Sequence, residues 1–73
     1  MTPAARLLLE RAAEIDDAAA APSPCISVCR MDAVTGLCEG CFRTLEEIAA
    51  WGMAGDEERR ELWRQLVRRA TPP

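Results

Sequence analysis

Four cysteines, Cys25, Cys29, Cys38 and Cys41, carry the spacing in this chain that points to definite chemistry. They fall as C-x3-C-x8-C-x2-C, two short pairs that one compact segment can fold around a single ion. Each pair is close enough in sequence for both sulfurs to face one centre. Gly40, between Glu39 and Cys41, permits a tight turn that aims backbone N–H groups at thiolate sulfur, and Gly36 serves the approach to Cys38 in the same way.

Zinc fits this donor set, because a closed tetrahedral site of four thiolates is a common structural solution. Its binding free energy, on the order of 10 kcal/mol, would become folding free energy, and the metal-free chain is then expected to be largely unfolded. An iron-sulfur cluster takes the same number of thiolates, although the spacing matches neither the C-x2-C-x2-C-x3-C-P run nor the C-x4-C-x2-C pattern of ferredoxins. Disulfides or unligated thiols are the third reading. On spacing alone zinc leads. The ion decides the class of function: four protein thiolates leave zinc no open position for activating water, whereas a cluster passes electrons without one. The chain has no His, Lys, Tyr or Asn, which removes the usual general bases and Schiff-base formers, so an enzyme is not expected.

Something must position and stabilise these ligands. A chain of 73 residues forms one domain with a core too small for comfortable stability. Its 49% apolar content is largely alanine, and only Phe42, Trp51 and Trp63 supply aromatic bulk. The formal charge of -3 hides a split, with the acidic excess ahead of residue 42 and balance beyond it. That acidity argues against nucleic acid as a partner; Arg64, Arg68 and Arg69 fit better as complements of a helix macrodipole. Leu7 to Leu9 are followed at once by Glu10 and Arg11, which leaves neither a secretory apolar region nor a membrane span. A cytoplasmic location is expected, where closely spaced cysteines read as ligands before disulfides.

The elements follow. Thr2-Pro3 opens a helix over about residues 3 to 20, with a narrow stripe of Leu8, Ala12, Ile15 and Ala19. This helix is expected to be separable from the rest, loosely docked or partner-binding, and Pro22 and Pro24 make the segment after it a stiff linker. Residues 25 to 41 form an irregular knuckle shaped by the metal, with Asp32, Thr35 and Gly36 as turn formers. Thr44 and Glu47 fit a capping box that opens a short helix over about residues 45 to 51. Asp56 suits the N-cap of a third helix whose inner face is Leu62, Trp63, Leu66, Val67 and Ala70. Domain boundaries are then 1–24 for helix and linker, 25–70 for the four-cysteine domain, and 71–73 for a tail.

From Ser23 onward the sequence resembles a bacterial family called domain of unknown function 1289, described as predicted iron-sulfur proteins. The resemblance rests on S-P-C-x3-C, the Asp32 and Gly36 turn, C-x-G-C-x-R-T from Cys38 to Thr44, E-I-x-x-W from Glu47 to Trp51, and the E-E-R-R of Glu57 to Arg60. It implies metal ligation by Cys25, Cys29, Cys38 and Cys41, and it implies no particular activity. It also raises iron-sulfur beside zinc, so the two stand nearly level, zinc slightly ahead on ligand pattern. Phe42 stands where a small or variable residue is expected.

Arg43, directly after the last ligand but one residue, has two readings: a donor toward thiolate, or a surface partner of Glu46 or Glu47. Trp51 and Trp63 are expected to close the small core, and Glu57, Glu58 and Glu61 to form a solvated face matched to the helix dipole. The fold expected is a small, mainly α, metal-stapled domain: an irregular cysteine knuckle packed on two C-terminal helices, plus a separable N-terminal helix. The function expected is a noncatalytic metal-binding module that docks on a protein partner. An electron-transfer or cluster-carrying partner of an oxidoreductase is the alternative, and a nucleic-acid-binding regulator a weaker one.

Overall fold

A computed structural model of the chain describes residues 2–16, 20–26 and 30–71. Helix α1 (Pro3–Ala12) is opened by Thr2, whose hydroxyl accepts the Ala5 N–H at 3.1 Å, with Pro3 in the first turn where its missing donor costs nothing. The expectation of a helix over 3–20 is corrected here. Glu14 and Ile15 donate to carbonyls three residues back, Arg11 and Ala12, so the helix tightens and stops. Glu14 and Asp16 place acidic charge against the negative end of the helix dipole, which disfavours continuation; residues 17–19 of the expected helix lie outside the described residues.

Helix α2 (Leu45–Ala50) carries the expected capping box: Thr44 accepts from the Glu47 N–H at 3.1 Å and Glu47 accepts from the Thr44 N–H at 2.8 Å. Trp51–Met53 continues it as one 3-10 turn. Helix α3 (Asp56–Ala70) follows, with Gly55 as N-cap and Asp56 already helical, one residue earlier than the sequence pattern suggested. Its first turn is acidic and its last turn basic, as the dipole favours.

The core is the seam between α1 and α3. Ala5 and Leu8 of α1 meet Trp63, Leu66 and Ala70 of α3, with Ala21 of the linker, and Phe42 and Trp51 pack against the cluster. The helix expected to be separable is therefore docked. Its short stripe suffices because α3 offers Trp63, and because Arg11 lies over that ring at 5.8 Å while donating to the Ser23 carbonyl at 2.7 Å. Trp63 in turn donates its indole N–H to the Pro22 carbonyl at 2.8 Å. Linker, α1 and α3 are thus tied together, and Pro24 is fully buried. Among the described residues there is no strand, and no helix is long and apolar enough to cross a membrane.

Candidate metal centre

The segment that leads to Cys38 is a small irregular hairpin. Met31 and Cys38 form an isolated antiparallel bridge, and between them Asp32 accepts the Val34 N–H at 2.8 Å, the kind of local bond that nucleates a turn. Gly36, at a φ of 72°, lets the chain reverse, with its N–H on the Asp32 carbonyl at 2.9 Å. The turn expected at Gly36 on the approach to Cys38 is present, but its N–H serves the turn and not the sulfur.

Beyond the hairpin the chain doubles back tightly. Phe42 donates to the Cys38 carbonyl at 2.8 Å, and Cys38 donates to the Arg43 carbonyl at 2.7 Å. The left-handed residue of this turn is Phe42, at a φ of 63°, where a phenylalanine is costly and a glycine would be easy. Its ring repays that strain by packing on the helical core. Arg69 of α3 fixes the turn from outside, donating to the Phe42 carbonyl at 2.9 Å and to both carboxylate oxygens of Glu47 at 2.7 and 3.0 Å. One side chain joins α3, the α2 cap and the cysteine turn.

The turn buries Cys38 and Cys41 side by side, each 2% exposed. Burial alone would push the Cys38 thiol up, but the N–H groups of Cys41 and Gly40, the Cys41 side chain and the Arg30 N–H outweigh it and hold it below its ordinary value. For Cys41 burial dominates and the thiol is raised, even though the Arg43 side chain and N–H pull the other way. The two sulfurs are thus set apart, with Cys38 the one whose ionised form the surrounding donors favour. Arg30, which contributes one of these amides, directly follows Cys29 in the chain.

Arg43 turns to sulfur rather than to glutamate. It is 4% exposed, and its Nε–H donates to Cys41 Sγ at 3.2 Å while its guanidinium stacks on Trp51, 5.5 Å from the ring centre. Glu47, the alternative partner, is engaged by Arg69. That guanidinium, then the N–H and hydroxyl of Thr44, hold the Glu47 carboxyl below the usual carboxylate range against the effect of burial.

Of the four cysteines, the structure brings Cys38 and Cys41 together. Cys25 is exposed at the end of the linker, its carbonyl 3.4 Å from Arg11, and Cys29 lies outside the described residues. Among the described residues no group of three or more Cys, Asp or Glu side chains is gathered to hold a metal ion. Two buried sulfurs in a shell of N–H donors nevertheless suit a thiophilic metal, since such donors stabilise the ligating thiolate.

Arg69 and Arg11 were not singled out as organisers by the sequence reading. The signal was there: Arg69 follows Leu62 and Leu66 at i+7 and i+3, and Arg11 follows Leu8 at i+3, so both lie beside the buried stripes of their helices.

A hairpin-and-turn cysteine unit set on three helices defines a small helical cysteine-knuckle protein. The chain belongs to the family described as "Protein of unknown function (DUF1289)", which matches residues 23–70. It is 40% identical over 42 residues to Uncharacterized protein YdhL of Escherichia coli K12, and equally to that of Shigella flexneri, covering 58% of this chain and 52% of theirs. The chain thus spans about half the length of the curated relatives it matches. No solved structure matches it. Helix α1 precedes the family match.

Proposed function

We propose that Cys25, Cys29, Cys38 and Cys41 bind one metal centre, and that the protein is a noncatalytic accessory module that docks on a protein partner. The observation that carries this reading is the buried Cys38–Cys41 pair, ringed by the N–H groups of Arg30, Gly40, Cys41 and Arg43. A buried thiol pair needing only apolar packing has no use for such donors. Bound zinc would close the coordination shell and staple the fold; the chain's own residues set the thiolates' orientation and exclude water. Val34 at the hairpin tip and Met53 after α2 are 93% and 91% exposed, which offers a partner apolar contacts.

An iron-sulfur cluster carried for an oxidoreductase is the second reading, favoured by the same crowding of donors at sulfur, since hydrogen bonds to sulfur tune cluster potential. Nucleic acid is the weakest. Arg59, Arg64 and Arg69 of α3 are engaged within the molecule by the Trp51 carbonyl, Glu61 and Glu47. A cytoplasmic site of action fits thiolate ligands.

Protein purified without oxygen should be assayed for zinc, iron and acid-labile sulfide, with its absorption spectrum. Colourless protein with one zinc per chain supports the structural module. Brown protein with iron and sulfide supports the cluster carrier, and neither metal contradicts both.

A further inference from the structure

Arg43 is a buried charged side chain, and a buried guanidinium is costly unless an opposite charge accompanies it. It cannot escape by losing its proton. Its partners are a sulfur, Cys41 Sγ at 3.2 Å, and an aromatic face, Trp51 at 5.5 Å. Glu47, the carboxylate that the sequence offered it, is occupied in both oxygens by Arg69. A neutral thiol is a weak acceptor and does not balance a buried cation; an anionic, metal-bound sulfur does.

The aromatic platform is itself fixed. Arg59 lies 5.0 Å from the centre of the Trp51 ring and donates from Nε and Nη2 to the Trp51 carbonyl at 3.1 and 2.8 Å. Arg43 is thereby held on a ring that is pinned to α3, with its Nε–H aimed at one sulfur. Lysine would retain the charge but neither the flat stacking surface nor the directed Nε–H.

We propose that Arg43 is the positioning residue of the metal site: clamped on Trp51, it donates to the Cys41 sulfur, offsets one unit of the thiolate charge and so holds Cys41 as a ligand. The proposal rests on the four-cysteine reading above. Four thiolates around a divalent ion would carry a net double negative charge, and Arg43, beside the buried Cys41, would halve it.

The test uses the full chain loaded with Co2+, whose sulfur-to-metal absorption reports both thiolate number and the donor strength of sulfur. In competition with a chelator, Arg43→Gln should weaken Co2+ binding about 10- to 100-fold, as loss of a ligand's outer partner does. The sulfur-to-cobalt band should move to lower energy, because sulfur without its donor gives up charge more readily. Arg43→Lys should recover part of the affinity but not the band position. Trp51→Leu, which leaves Arg43 in place without its platform, should shift the band the same way by less. Should Arg43→Gln not fold, Arg43→Lys and Trp51→Leu carry the test alone. Unchanged affinity and band position in the folded variants would overturn the role of Arg43 while leaving the four-cysteine reading intact. A wild-type chain without a thiolate spectrum would overturn both.

Discussion

The two halves of this molecule are held together by different physics. The α1–α3 seam is side-chain burial: Leu8, Trp63 and Leu66 are each at most 2% exposed, and their helices form from local pattern and caps. The hairpin and turn from Arg30 to Arg43 have almost no such core. They are held by backbone bonds, the left-handed positions of Gly36 and Phe42, and donors converging on sulfur. The lesson is that the first half orders itself through a small apolar core, whereas the second relies on backbone bonds and donors at sulfur, the arrangement that the proposed metal would complete.

Cys41→Ser is the severest way to break the comparison. One neutral hydroxyl cannot replace a thiolate donor, so metal binding worth on the order of 10 kcal/mol is forfeited and cooperative melting by circular dichroism should disappear. A native-like melt would show that the helical half stands without the centre. Trp63→Ala attacks the other half and should cost about 3–5 kcal/mol in denaturant unfolding, since it removes the largest core side chain and its bond to Pro22.

Between the two halves stands Arg69. Arg69→Met should destabilise the protein by about 1–2 kcal/mol, because it leaves Glu47 and the Phe42 carbonyl without their shared donor. The effect carries a pH signature. The Glu47 carboxyl is held below its ordinary value, so its contribution is full above the ordinary carboxylate range and is lost as pH falls through the depressed one. The stability gap between wild type and Glu47→Gln should therefore be widest near neutrality and narrow in acid; a gap independent of pH would remove Arg69–Glu47 as the link. Thr44→Ala should have the smallest effect, about 1 kcal/mol, by deleting the hydroxyl that caps α2.

The helical half was the more legible in sequence, because capping residues and apolar period act locally. Thr2, the Thr44–Glu47 box and the inner face of α3 could be read directly. Helix α1 ends ahead of the expected boundary because the period of Leu8, Ala12, Ile15 and Ala19 runs on past a point where Glu14 and Asp16 oppose the helix dipole. Loose docking was one of the readings the sequence allowed for this helix; how firmly it docks depends on Arg11 reaching Ser23 and on Trp63 reaching Pro22, contacts remote in sequence. In the cysteine half, spacing singled out the four cysteines, of which Cys38 and Cys41 lie together, and Gly36 marked a turn, but a phenylalanine in left-handed conformation has no local signature. Arg43 could be flagged by its place beside Cys41; its choice of sulfur over glutamate depended on Arg69 having taken Glu47.

X-ray absorption at the metal edge of freshly purified protein tests most directly whether all four cysteines share one centre. The account predicts a first shell of four sulfur scatterers at about 2.3 Å, the distance thiolates keep from zinc and closely from iron. A shell of two sulfurs completed by oxygen or nitrogen would contradict it, leaving Cys38 and Cys41 a pair without the first two cysteines.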